Sequence, residues 1–134
     1  FVGLELRQNT AIARAATRQA LTEQSLESIM ALATDDGLGG QLDQWLWGDD
    51  RHTDTCADGL HQACRWVRGQ VRILENAFLQ FQEGLIDESV FLSYGWRNNP
   101  LVLSPHFAPW WQAIRSSYHP DFLDAFEAEY DLAP

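Results

Sequence analysis

"CADGLHQACRWVRGQVRILENAFLQFQEGL", residues 56–85, carries the strongest pattern in the chain. Leu60, Val67, Val71, Leu74, Phe78, Phe81 and Leu85 recur at spacings of three, four and seven. That is the period of one helix face, so the spacing predicts a central core helix with a continuous apolar ridge. No stretch sustains the period-two alternation of β-branched residues that a strand requires. The fold class that follows is all-α.

On the N-terminal side, residues 2–33 contain no proline and, after Gly3, no glycine. This predicts one long N-terminal helix of roughly 45 Å. Its expected inner stripe is Leu4, Ala11 with Ile12, Ala15, Gln19, Thr22, Leu26, Ile29 with Met30, and Ala33. Those side chains are mostly small, which suits close helix–helix approach. "TDDGLGG" (34–40) is expected to stop the helix. Leu42, Trp45 and Leu46 then predict a short amphipathic helix over 41–47, and "GDDRHTDT" (48–55) a loop.

On the C-terminal side, Gly84 and Asp87 mark a turn, with Asp87 as cap for a helix through about Arg97. Val90, Phe91 and Tyr94 are expected to face inward. "NNP" (98–100) ends that helix, and Ser104 with Pro105 starts the next. Phe107, Trp111, Ile114 and Tyr118 form its inner stripe. "HPDF" (119–122) opens the last helix, with Phe122, Leu123, Phe126 and Tyr130 buried and the carboxylates outside. The expectation is a single domain over 1–134, an antiparallel helical bundle of five or six helices with a long N-terminal helix.

The 134 residues are 46% hydrophobic and carry a formal net charge of −10. Such a balance supplies a core and argues against nucleic-acid binding, which needs a basic footprint. Charge is uneven along the chain. Arg7, Arg14 and Arg18 face only Glu5 in residues 1–18, whereas 119–134 hold Asp121, Asp124, Glu127, Glu129 and Asp131 with no arginine. The two ends attract one another if the fold brings them together.

His52, Cys56, His61 and Cys64 are all of zinc-ligand type. A regular helix over 56–64 would set the two cysteines about 12 Å apart along the axis, too far for a disulfide or a shared metal. Only a break at Asp58-Gly59 brings Cys56 back over His61, so no metal and no cofactor is expected. His61, Arg65, Arg68 and Arg72 lie on one side of the central helix. They make either an anion-binding ridge or a salt-bridged face with a local Arg72–Glu75 pair. Glu75 is expected at the boundary, paired with an arginine of the first helix. Trp47, Trp96 and Trp110 fall off their inner stripes, and form a docking patch if exposed or a second core layer if buried. No phosphate loop, nucleophile elbow or zinc-protease motif is present, so no enzyme is expected.

Arg7, Arg14 and Arg18 project from nearly the same side of the first helix, just after Phe1-Val2-Gly3-Leu4. The expectation is an apolar segment upstream that crosses a membrane, with the arginines at its cytoplasmic flank facing anionic lipid. "FVGLELRQNT", "AIARAATRQAL", "ENAFLQFQEGLIDESVF" and "SPHFAPWWQAIRSSYHPDF" resemble a widespread group of uncharacterised bacterial proteins. Those carry one N-terminal transmembrane helix running into a V-G-L-x-x-R-Q-N-T-like start and then a small helical domain. The resemblance implies architecture and a membrane tether, and no activity. The expected function is that of an accessory or regulatory subunit at the cytoplasmic face of a bacterial inner membrane, acting on a protein partner or as a homo-oligomer. The alternative is a small-ligand or metal sensor.

Overall fold

The computed structural model describes residues 2–34, 36–48 and 60–132. Among these, seven α-helices and a single 3-10 turn account for the regular structure, with no strand. They are α1 Val2–Thr34, α2 Asp36–Trp47, α3 His61–Gln82, α4 Glu88–Leu92, α5 Pro100–Leu103, α6 Phe107–Ile114 and α7 Pro120–Tyr130, with the turn at Arg115–Ser117. The expected loop at 48–55 and the candidates His52 and Cys56 lie outside the described residues, apart from Gly48.

α3 is the central ridge. Ala63, Cys64, Val67, Val71, Ile73, Leu74 and Ala77 are buried along it, as its spacing requires. The helix begins at His61 and not at Cys56, so the regular helix that separated the two cysteines is not formed. Leu60 stands at the N-cap and supplies no side-chain cap. Gln41 of α2 compensates: its Oε1 accepts from the Ala63 N–H at 3.1 Å, satisfying an orphan donor of the first turn. At the other end the Gly84 N–H donates to Phe81 O and the Leu85 N–H to Gln80 O, each at 2.9 Å. This Schellman arrangement needs a left-handed residue, which Gly84 provides at φ 76°.

Two expected breaks are helix in the structure. "GLGG" belongs to α2, where burial of Leu38, Leu42 and Trp45 outweighs the poor helix propensity of glycine. "NNP" starts α5 instead of merely ending a helix, because the Asn99 side chain accepts from the Leu101 N–H and Pro100 takes the first helical position. Asp87 caps α4 as expected, accepting from the Val90 N–H at 2.9 Å, but α4 ends at Leu92 and not near Arg97. Ser104 helps to open α6, its Oγ accepting from the His106 N–H at 3.3 Å, though the helix starts at Phe107.

The aromatic side chains assemble into one contiguous cluster. Phe78 stacks on Trp96, Phe81 on Phe91, Phe107 on Trp111 and Phe122 on Phe126, with ring centroids 5.6, 4.8, 5.8 and 5.0 Å apart. Trp96 and Trp110 are therefore core residues and not docking aromatics; burial of their large apolar rings decides it. Of the three off-stripe tryptophans only Trp47 is exposed, at 68%.

Candidate interaction surface

α1 is 33 residues long, yet Leu21 is its only buried side chain. The face that meets α3 is largely polar. The Trp66 indole N–H donates to Ser28 O at 3.2 Å, and the Asn76 amide approaches Gln24 Oε1 at 3.5 Å. A buried indole N–H needs an acceptor, and these partners fix the helix rotation. Leu21, Gln24 and Ser28, spaced at three and four, turn inward. The stripe expected inside turns outward instead: Leu4, Ile12, Leu26, Ile29 and Met30 are 53–69% exposed. Two of the polar residues of α3, Trp66 and Asn76, thus decided which side of α1 is free.

Ser28 lies beside Trp66 near the start of α3, while Arg14 and Arg18 lie beside the turn after it, so the two helices run antiparallel. With Gly84, Leu85, Ile86 and Asp87 these arginines line an open cleft of about 180 Å³. The Asp87 carboxylate is held below its ordinary pKa. The Val90 N–H is the main cause, the Ser89 hydroxyl the next, and the Arg18 and Arg14 charges add to them. Arg7 is exposed, and residues 2–13 are exposed throughout.

The expected anion ridge divides. Arg65 and Arg68 are exposed, but Arg72 is engaged by its neighbours. Its Nη1 is 2.9 Å from Glu75 Oε1, its Nη2 donates to Ser117 O at 3.1 Å, and its guanidinium carbon lies 4.0 Å from the centre of the Tyr118 ring. Glu75 pairs with Arg72 and not with the first helix. Its second oxygen accepts from the His119 N–H at 2.7 Å, at the cap of α7. Burial pushes the Tyr118 hydroxyl up to about 12, against the lowering effect of Arg72 and Arg68. The cluster clasps α3 to α7.

Cys64 is disulfide-bonded, which overturns the geometric objection and removes Cys64 as a thiolate metal ligand. His61 is exposed. Among the described residues no group of three or more His, Cys, Asp or Glu side chains is placed to hold a metal ion. No helix among them is long and apolar enough to cross a membrane.

No family model, no curated protein and no solved structure matches the chain.

One site was missed by sequence reasoning. Between α1, α3 and α4 runs a groove of about 340 Å³ whose lining includes Leu26, Gln70, Ile73, Tyr94 and Asn99. The Gln70 Nε2 is buried there without a hydrogen-bond partner in the protein. Gln70 lies off the apolar ridge of α3, and the sequence offers no signal of the turn that closes over it.

Proposed function

We propose that this chain is a protein-interaction domain that presents the outer face of α1 to a partner while an apolar segment upstream tethers it to a membrane. The observation that carries the interaction is the exposure of Leu4, Ile12, Leu26, Ile29 and Met30 on one helix whose other side is fastened to the body. Singly scattered apolar residues are ordinary on a protein surface, but Leu26, Ile29 and Met30 lie together on one side of α1, with Ile12 and Leu4 further along the same side, and such a grouping supports a contact site. The tether draws support from Val2, Leu4 and Leu6, exposed on the first turns beside Arg7.

The compartment follows from two opposing signals. Arginines beside a span favour the cytoplasmic face. A disulfide at Cys64 favours an oxidising space, because structural disulfides rarely persist in a reducing cytosol. We weight the disulfide more, since Arg14 and Arg18 already line the cleft with Asp87. The proposal is therefore a domain on the oxidising side of a bacterial inner membrane. Fractionation of the full-length gene product tests the tether, and its recovery in the soluble fraction would end it. Alkylation of Cys64 in rapidly quenched cells tests the compartment, with protection expected before reduction.

A second reading, small-ligand binding, is favoured by Gln70, whose unpaired amide faces a groove at the lower end of ligand-site volumes. A thermal-shift screen of neutral amide and carboxylate compounds, repeated on Gln70→Leu, tests it. Stabilisation of the native chain that is lost in the variant would support this reading.

A further inference from the structure

We infer that the oxidation state of Cys64 sets where α3 begins, and that reduction lets this helix run back to Cys56. Cys64 is disulfide-bonded, and Cys56 is the only other cysteine in the chain. A helix continuous over 56–64 holds these two residues about 12 Å apart along its axis, beyond the reach of a disulfide. Bond and helix therefore exclude one another. The oxidised chain shows one side of that choice. α3 starts at His61, Leu60 offers no side-chain cap, and the first turn takes an acceptor from another helix. Gln41 of α2 supplies it, its Oε1 accepting from the Ala63 N–H and its Nε2 donating to Gln62 Oε1, both at 3.1 Å.

The sequence before His61 suits a continued helix once the bond is gone. Thr55-Cys56-Ala57-Asp58 has capping-box spacing, a hydroxyl at the N-cap and a carboxylate three residues on. From Cys56, steps of four, four and three lead to Leu60, Cys64 and Val67, all three of them buried, so the added turn prolongs the inner face of α3. Elongating an anchored helix escapes the cost of nucleating a new one. Glycine disfavours helix, so Gly59 keeps the longer form from winning outright. In that form the Ala63 N–H pairs with the Gly59 carbonyl and Gln41 is released. Reduction thus unfastens a polar link between α2 and α3, while Leu38, Leu42 and Trp45 keep α2 on the core. The reductant is a dithiol. Its thiolate attacks the Cys56 sulfur, because Cys64 is only 8% exposed. The S–S bond breaks, Cys64 leaves as a thiolate and takes up a proton, and the second thiol of the reductant then displaces Cys56 as a thiol. Two electrons reach the protein and the reductant ends as a disulfide. On the oxidising side proposed above, the bonded form is the resting one.

The test is hydrogen–deuterium exchange of the 134-residue chain, oxidised and after dithiothreitol, followed in peptides that cover 56–64. On reduction the amides of residues 60–63 should exchange at least about tenfold more slowly, because the added turn gives them carbonyl partners. Unchanged or faster exchange there would overturn the inference. So would a reduced chain in which all of α3 loses protection, since the bond would then only brace the fold. Cys56→Ser should match the reduced chain with or without dithiothreitol, and a variant that instead loses protection at 60–63 counts against the extension. Equilibration with a glutathione buffer gives an independent reading. Whatever weakens the longer helix must favour the disulfide, so Thr55→Ala should shift the balance towards the disulfide by about fivefold, through loss of the cap. Thr55→Ser, which keeps the cap, should leave it in place. A Thr55→Ala chain with an unmoved balance, or one moved towards the dithiol, refutes the proposal. Neither measurement depends on the tether or on a partner for α1.

Discussion

The Arg115 guanidinium forks across the Glu127 carboxylate, its Nε 2.6 Å from Oε1 and its Nη2 3.0 Å from Oε2. Trp111 joins them, its indole N–H donating to the same carboxylate at 3.4 Å. Glu127 is buried although the pattern of α7 predicts its carboxylates outside, and the pair is what makes that burial tolerable. Arg115 is raised above its ordinary pKa chiefly by this hydrogen bond.

The two halves of the pair are unequal. Arg115→Ala strands a carboxylate inside the core, whereas Glu127→Ala frees a guanidinium that is already 32% exposed and can hydrate. Urea denaturation should find Arg115→Ala the more destabilised of the two. Equal midpoints would show that Glu127 reaches water.

Tyr118 makes stability fall at high pH. Its folded pKa is about 12 against an ordinary 10, so between those values the unfolded chain has lost a proton that the folded one keeps. Stability then decreases as pH rises from about 10 to 12, by on the order of 2 kcal/mol. Tyr118→Phe should flatten that slope. The ultraviolet titration of the three tyrosines should show a component near 12 that the variant lacks.

Asp87 acts in acid. Its folded pKa lies below the ordinary carboxylate value, so its contribution is complete above about pH 4 and is lost as pH falls through the folded value. Asp87→Asn should keep the cap to Val90 at neutral pH and remove part of the acid sensitivity. Asp87→Ala should lose the cap at every pH. Thermal melts of the three proteins at pH 3 and 7 decide it.

The two sides of α1 should respond differently to truncation. Leu21→Ala opens a cavity against α3 and should cost about 2–5 kcal/mol. Ile12→Ala, on the outer side, should change the stability of the monomer by no more than about 0.5 kcal/mol. A large loss at Ile12 in dilute protein would mean that the stripe is covered within one chain.

Much of the architecture was legible in the residues, and the misses have physical causes. The ridge from Leu60 to Leu85 stood out because Val67, Val71 and Leu74 repeat an apolar contact with no polar interruption. The final helix was equally clear, from Phe122 and Phe126. α1 defeated the same logic. Apolar spacing reports that a face is sticky and not what it sticks to, and a polar contact with Trp66 and Asn76 claimed the opposite side. Trp96 reads as off-stripe only if α4 runs on to Arg97, and the helix ends at Leu92; Trp110 lies three residues after Phe107 and four before Ile114, so it shares the buried face of α6 beside Trp111. The Gln70 groove depends on how α4 folds back, a long-range matter that no local pattern encodes.

A helix held by one leucine and a few amide contacts has a life of its own. Backbone amides of residues 2–13 should exchange with deuterium in seconds, and a protease should trim that end first. Those of α3 and α7, locked by stacked rings, should exchange only when the whole chain opens. The domain would then carry a pliant mast on a stiff hull.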